Sequence, residues 1–418
     1  MMEPIKRIKG TDDILPPESA TWQYVADTIR RVMSLYNYRE IITPIFEYTE
    51  LFARSIGAST DIVSKEMYTF LDMGERSLTL RPEGTASVVR AYVEHSLSVK
   101  FPIAKLYYIG PMFRQEKPQK GRKRQFNQFG IEILGTDSPY ADVEGIILNL
   151  RVLKELGITD THLMINSIGD PNCRQGYRRA LKEYLQPRLE KLCSDCQLRY
   201  HNNPLRVFDC KKQSCQAQLE DAPVMSDYLC DDCRKHFDKV LHILDKLDIE
   251  FSINERLVRG LDYYTKTVYE ITSTALGSQN SLSGGGRYDI LVEELGGKPT
   301  PAFGFAAGIE RIIMAMEQSE GYETPKPQLD YFIALTNDEI LTTAMEFAER
   351  LRDKGNSVNI DFRGKSLKSQ MKQADKLGAK RVVIIGDDEF SKGVYLLRDM
   401  ETGEQTEIPL SIIPNTDK

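Results

Sequence analysis

The chain has one tryptophan, five histidines and no apolar run near the roughly 18 residues that a bilayer span requires. That predicts a protein with no membrane contact. Its first residues, MMEPIKRIKGTDD, lack the apolar centre of a secretory signal, which predicts an intracellular, cytoplasmic chain. An excess of basic residues is also missing: 55 Lys and Arg stand against 61 Asp and Glu, for a net charge of −6. Such a balance argues against indiscriminate coating of nucleic acid and leaves room for a local cationic site. Internal repeats and low-complexity tracts are absent, which excludes solenoids and long disordered segments. Cysteine is scarce and unevenly spread: of seven, Cys173 stands alone and six fall between 193 and 233. In a cytosolic chain this clustering favours a metal site or reduced thiols over disulfides.

What is present fits a globular protein, with 41% hydrophobic and 28% charged residues. At 418 residues the chain exceeds one ordinary core, so two or three domains are expected. From about 17 to 37, Trp22, Val25, Ile29, Val32, Met33 and Tyr36 recur at helical spacing. EIITPIF then reads as a strand interrupted by Pro44. SLTLRPEGTASVVRAYVEH reads as a strand, a loop at Arg81–Gly84 and a helix from about Thr85. KLYYIGPMFR and RQFNQFGIEILG are two strands joined by a loop dense in Arg114, Lys117, Lys120, Arg122, Lys123 and Arg124. ADVEGIILNLRVLKELGI is an amphipathic helix stopped at Gly157. Residues from about 173 to 245 are helix-rich, charged and cysteine-bearing, as expected of an insertion.

Sheet signals return in RLVRGLDYYTKTVYEITS, where Tyr264, Thr267, Tyr269 and Ile271 are expected to share buried surface. SGGGRYDILVEELGG reads as a glycine turn with a short helix, and PAFGFAAGIERIIMAME as a strand running into a helix. After the Pro-containing linker GYETPKPQLD the pattern becomes βαβαβ, with continuous apolar strands that predict a small sheet covered on both faces.

Four segments carry candidate chemistry. RPEGT offers Glu83 and Thr85 at a helix start; FRQE and RQFNQFGIE offer Arg114, Glu116, Gln128 and Glu132. RGLDYYT offers Arg259, Tyr263 and Tyr264, and AAGIER offers Arg311 at a strand-to-helix junction. Singly, each arginine reads as a surface salt bridge. Together, three arginines beside several carboxylates suit a polyphosphate next to a small cationic ligand, because the guanidinium fork grips phosphate or carboxylate bidentately.

Over nearly its whole length the sequence resembles the bacterial histidyl-tRNA synthetases, which are class II aminoacyl-tRNA synthetases. The resemblance rests on KGTDDILPP at 9–17, TPIFE at 43–47, TLRPEGTASVVRAY at 79–92 and GPMFRQEKPQKGRKRQFNQFG at 110–130. It continues in VRGLDYYTKTVYE at 258–270, SGGGRYDILVEELGG at 283–297 and GFAAGIER at 304–311. The three class II motifs match the stretches around Pro44, Arg114 and Arg311, and the two segments peculiar to the histidine enzymes match RGLDYYT and GGGRYD.

The resemblance implies an α+β protein: an antiparallel-sheet catalytic domain over residues 1–325 with the helical insertion, and a small α/β anticodon-binding domain over 326–418. It implies activation of L-histidine with ATP and magnesium, transfer to the 3′ end of tRNA(His), and a homodimer. Glu83, Gln128 and Glu132 would hold the histidine ammonium, with Thr85 beside them. Tyr264 and Tyr288 would meet its imidazole and Tyr263 would line the pocket. Arg114 would bridge the substrate carboxylate and the α-phosphate, Arg259 would stabilise the five-coordinate α-phosphate, and Arg311 would grip the far phosphate. Glu116 and Arg122 would lie in the ATP-facing loop, and Phe126 would stack on adenine. The insertion would lean on the acceptor arm. A rival within the same fold is a non-catalytic paralogue that regulates ATP phosphoribosyltransferase; such paralogues usually lose the RGLDYYT arginine segment and the terminal domain, and this chain keeps both.

The resemblance supplies no metal in the insertion. C-x2-C units at Cys193–Cys196 and Cys230–Cys233, with 33 residues between them, read either as one zinc site or as free thiols. Cys210 and Cys215 complicate the count, since four thiolates suffice. His201 and His236 are alternative ligands, though each reads first as a plain surface histidine.

Overall fold

In the computed structural model, which describes residues 3–57, 60, 62–119, 121–324 and 329–414, the chain forms two compact units, Met1–Glu323 and Thr324–Lys418. Lys120 and the linker residues 325–328 lie outside the described residues.

The large unit is built on an eight-stranded sheet. Its spatial order is Arg39–Glu40, Ala104–Phe113, Gln125–Leu134, Ala302–Gly308, Ser281–Arg287, Thr265–Ser273, Thr161–Ser167 and Ser252–Ile253. The two short edge strands pair in parallel and the rest antiparallel. One face is covered by helices. Val25, Ile29, Val32 and Met33 of Glu18–Leu35 are fully buried there, at the i, i+4, i+7 spacing that made them legible. Pro139–Glu155 joins them and ends at Gly157, whose φ of +80° suits a residue without Cβ.

Three expectations change. EIITPIF is not one strand: Arg39–Glu40 edges the large sheet, while Phe46–Tyr48 pairs in a separate three-stranded sheet with Ser77–Leu80. Pro44, with no N–H to donate, sits in the break. The triple glycine is not a turn. Gly284, Gly285 and Gly286 lie inside Ser281–Arg287, a central strand paired on both sides. A Cβ on Gly285 would sit 2.2 Å from the Gly304 carbonyl oxygen, so glycine there permits close backbone approach. Finally, Tyr264 precedes the strand Thr265–Ser273 and packs with Val268, whereas Tyr269 and Ile271 face the opposite core. Lys266, at φ +49°, interrupts the alternation between them.

The helix-rich segment has its own apolar cluster, with Tyr177, Leu181, Leu185 and Val207 beside Cys196, Cys215 and Cys233. Its last helix, Asp231–Lys246, also belongs to the main core, burying Phe237, Val240 and Leu244 there.

The small unit has a five-stranded sheet in the order Val358–Ile360, Leu329–Leu335, Ala379–Ile385, Val394–Asp399 and Gln405–Pro409. The first three strands are parallel, as βαβαβ requires; the last two form an antiparallel hairpin that the apolar pattern did not disclose. Phe332 and Val382 face one side of the sheet, and Ile333 and Val383 the other, so the central strands are covered on both faces.

Candidate active site

On the sheet face opposite the long helices lies a cavity of about 520 Å³. The hairpin Ala104–Phe113 and Gln125–Leu134 forms part of its floor, with Phe113 opposite Gln125 across the loop. Gln128 and Glu132, four apart on one strand, point to the same side. Strand Thr265–Ser273, the glycine strand and Ala302–Gly308 complete the floor, and Arg311 enters from the helix Ile309–Met316 that follows.

Glu83, Thr85, Arg114, Glu116, Arg122, Phe126, Gln128, Arg259, Tyr263, Tyr264 and Arg311 all line this cavity. Glu132 and Tyr288 stand behind that lining. Glu132 is fully buried; its carboxylate accepts hydrogen bonds from the Thr85 hydroxyl at 2.7 Å and from the Tyr288 hydroxyl. Burial pushes its carboxyl up to about 8, despite the two hydroxyl donors. Glu83 is raised by the same cause, even though its two oxygens accept the Thr85 and Ala86 backbone N–H groups at 2.7 and 2.8 Å. Those amides open the helix Thr85–Glu94, so Glu83 also caps it. Tyr263 packs against Tyr264 and Tyr288, with ring centroids 4.7 and 5.6 Å apart.

This end of the cavity is thus two buried carboxyls within a wall of tyrosines. It is short of a cation.

The other end carries the arginines. Arg114 donates to the Pro82 carbonyl at 2.9 Å, and its guanidinium lies 5.2 Å from the centre of the Phe126 ring. Glu116 pairs with Arg122 at 3.0 Å. Arg259 is 3.6 Å from Glu270, with its side chain 22% exposed. Arg311 donates to the Ser281 and Gly121 carbonyls at 2.8 and 3.3 Å, and burial followed by repulsion from Arg122 lowers its pKa. Gln128 Oε1 and Arg259 Nε are buried without a partner, as polar atoms awaiting a ligand would be. Two glycines clear the space: a Cβ on Gly284 would lie 2.4 Å from the Arg259 guanidinium, and one on Gly304 2.0 Å from a Glu132 carboxylate oxygen.

The cationic loop divides its labour. Arg114, Arg122 and Lys123 line the cavity; Lys123 also pairs with Asp12 at 2.7 Å and the Arg124 backbone bonds to Gly10, so these two hold the N-terminal segment; Lys117 is exposed.

Sequence reasoning missed several residues. Arg81 is buried and spans to the Thr43 and Pro111 carbonyls at 3.0 and 2.9 Å, tying the Pro44 region to the hairpin. Arg287 is fully buried against Asp142 and Asp289, and Asp142 also takes His236 at 2.8 Å. Although burial raises the Asp142 carboxyl, Arg287 and His236 hold it below the usual range. This network fixes the backbone beside Tyr288; the arginine and aspartate of GGGRYD serve structure, and His236 is buried rather than a surface histidine. Glu270, Asp209 and Lys211 line the cavity too. An arginine two residues from an aspartate on a glycine strand was the available signal for Arg287; Asp209 and Lys211 gave none, because they arrive from a distant segment.

The predicted cysteine quartet does not assemble. Cys193 and Cys196 converge with Cys210 and Cys215, whereas Cys230 and Cys233 converge with Cys173 and Asp170. The folding of the insertion, not the even spacing of the two CxxC units, sets these partners. Neither His201 nor His236 joins either group.

Comparison with known proteins agrees with this architecture. A family model described as histidyl-tRNA synthetase matches residues 10–312, and one described as anticodon binding domain matches 330–416. The chain is 50% identical to the histidine–tRNA ligase of Halothermothrix orenii over 408 residues, 97% of each chain. The solved structure of apo S. aureus histidyl-tRNA synthetase aligns with a TM-score of 0.82 at 40% identity, covering 98% of both chains. A structure titled ATP phosphoribosyltransferase regulatory subunit/histidyl-tRNA synthetase, from Bacillus halodurans C, shares the fold at a TM-score of 0.66 and 22% identity, covering 92% of this chain and 99% of that one. The cavity, the sheet that carries it and these matches agree: the chain belongs to the histidyl-tRNA synthetase family.

Proposed function

We propose that the chain is an aminoacyl-tRNA ligase that activates L-histidine with ATP, releasing pyrophosphate, and transfers histidine to the 3′ end of tRNA(His). The observation that carries this reading is the polarity of one cavity: buried carboxyls among tyrosines at one end, and Arg114, Arg259 and Arg311 along the other. An α-amino acid presents its ammonium to the first and its carboxylate to the second. Glu83 and Glu132, with the unpartnered Gln128 oxygen, suit the ammonium; Thr85 orients Glu132. Tyr263 and Tyr264 wall the imidazole, and Tyr288 acts from behind by holding Glu132.

Adenylate formation is in-line attack of the histidine carboxylate oxygen on the α-phosphorus, with pyrophosphate leaving. No protein nucleophile is required; two anions must be brought together and the charge spreading over phosphorus met by fixed cations. Arg114 reaches the carboxylate and α-phosphate, Arg259 the phosphorus as it gains a fifth oxygen, and Arg311 the far phosphate. Phe126 offers its ring to adenine. Glu116 and Arg122 shape the ATP side of the loop. Glu116 and Glu270 are carboxylates on the cavity wall that suit magnesium, which takes one or two carboxylates besides phosphate oxygens and water. When bound, magnesium would neutralise phosphate charge.

The small unit, matched by the anticodon-binding family model, would read the anticodon of tRNA(His). A homodimer is part of the proposal. Ile42, Ile45, Phe46, Tyr48, Phe70 and Leu71 are exposed around the Pro44 segment and the three-stranded sheet, an apolar surface of the kind that marks an interface. A cytoplasmic location is proposed from the same reading; no described helix is long and apolar enough to cross a membrane.

Amino-acid-dependent pyrophosphate–ATP exchange with all twenty amino acids tests the assignment. Exchange with histidine alone is expected. No exchange with any amino acid would move the chain to the regulatory class, and exchange with another amino acid would overturn the specificity.

A further inference from the structure

We propose that the helical insertion holds two structural zinc ions. The first is bound by Cys193, Cys196, Cys210 and Cys215, the second by Cys173, Cys230, Cys233 and Asp170. The ligand atoms of each set lie within 4.8 Å of one another. Each set comes from separate elements, so convergence is a property of the fold. The Cys193 and Cys210 sulfurs are 3.9 Å apart. With zinc–sulfur bonds of about 2.3 Å, a tetrahedral site has sulfur–sulfur edges of about 3.8 Å. A disulfide requires about 2.05 Å, and all seven cysteines are free.

The two sets share a construction. Cys193 is the N-cap of the helix Ser194–Asn202, and Cys196 lies in its first turn. Cys230 and Cys233 hold the same positions on Asp231–Lys246. In each case the N-cap N–H donates to a sulfur of the other half of the set: Cys193 to Cys215 at 3.3 Å, and Cys230 to Cys173 at 3.1 Å. Amides aimed at sulfur favour thiolate, the form that binds metal. Cys173 in turn lies in the first turn of Pro171–Leu185, capped by Asp170, whose Oδ1 accepts the Cys173 N–H at 2.8 Å.

The insertion has reason to need such ties. Cys173, Cys196, Cys210, Cys215 and Cys233 are among the buried residues of its small apolar cluster, and its helices between the first and last are short. A segment of this size gains little from hydrophobic burial alone. The first ion would also bear on the active site. Cys210 lies between Asp209 and Lys211, both on the cavity wall near Arg259, so fixing its sulfur fixes that wall.

Metal analysis of the full chain, made with zinc in the medium and dialysed against a weak chelator, tests this. Two zinc ions per chain are expected, falling to one in Cys215→Ser, to one in Cys173→Ser and to none in the double variant. Replacement by cobalt needs no variant: intense tetrahedral d–d bands with thiolate charge transfer are expected at two equivalents. Loss of all zinc on dialysis, with seven thiols titrating rapidly in native protein, overturns the proposal. One zinc per chain, removed by Cys215→Ser and untouched by Cys173→Ser, overturns the second site.

Discussion

Replacing Glu132 by glutamine isolates the electrostatic cost of burying a carboxyl at the tyrosine-walled end of the cavity. Glu132 is fully buried, and its carboxyl is raised from 4.5 to about 8. Between those values the folded protein keeps a proton that the unfolded chain has released. Stability therefore falls as pH rises, by up to about 1.4 kcal/mol per pH unit, with the loss complete above the folded value. From pH 4.5 to pH 7 this amounts to about 3 kcal/mol. Glutamine cannot ionise, and it mimics the neutral acid, since the Thr85 and Tyr288 hydroxyls can rotate to serve an amide. Glu83 is present in both proteins, so its own titration largely cancels. Glu132→Gln should thus match wild type near pH 5 and exceed it by about 3 kcal/mol near pH 7. Urea unfolding followed by fluorescence of Trp22, the one tryptophan, which packs on the large unit's core, measures this directly. The same variant should bind histidine far more weakly. Wild type should release close to one proton on binding at pH 7, measured by titration calorimetry in two buffers. A stability difference that stays flat from pH 5.5 to 8.5 would refute the reasoning.

Four further outcomes are expected. Arg259→Ala should slow adenylate formation roughly 100-fold or more in single-turnover kinetics, with histidine affinity little changed, if the guanidinium acts as proposed when phosphorus gains its fifth oxygen; Arg259→Lys should recover only part, and an unchanged rate in the alanine variant would end the assignment. Gly304→Ala puts a Cβ 2.0 Å from the Glu132 carboxylate and 2.5 Å from the Ile131 carbonyl, so it should lose about 1–3 kcal/mol of stability together with histidine binding; wild-type affinity in a calorimetric titration would contradict the tight fit. A chain ended at Glu323 should keep histidine-dependent pyrophosphate exchange and lose tRNA charging; equal charging would sink the anticodon role of the small unit. Phe46→Glu, at an exposed apolar position beside Pro44, should shift the protein from dimer to monomer in light scattering; a wild-type monomer would remove the dimer proposal.

The sequence alone determined the local elements whose burial follows a period. The helices Glu18–Leu35 and Pro139–Glu155, the hairpin around the cationic loop and the parallel strands of the small unit all announce themselves in this way. It also brought Glu83, Thr85, Arg114, Gln128, Arg259, Tyr264 and Arg311 to notice, through their joint occurrence beside strand patterns, while Arg122 and Phe126 came from the family resemblance. What it could not disclose is whatever depends on contacts between distant segments. The triple glycine looks like a turn until Arg259 and the Gly304 carbonyl are seen against it. Arg287 of GGGRYD shows no role until Asp142, itself paired with His236, is seen against it. Glu132 and Gln128 look equivalent on their strand, yet one is buried with hydrogen bonds from Thr85 and Tyr288 while the other lines the cavity with its oxygen unpartnered. Spacing likewise paired the two CxxC units with each other, and the fold gave each a different partner set. Periodicity reports which side of an element is buried; only the tertiary structure decides what meets it there, because that depends on through-space distance, which the chain's local order does not encode.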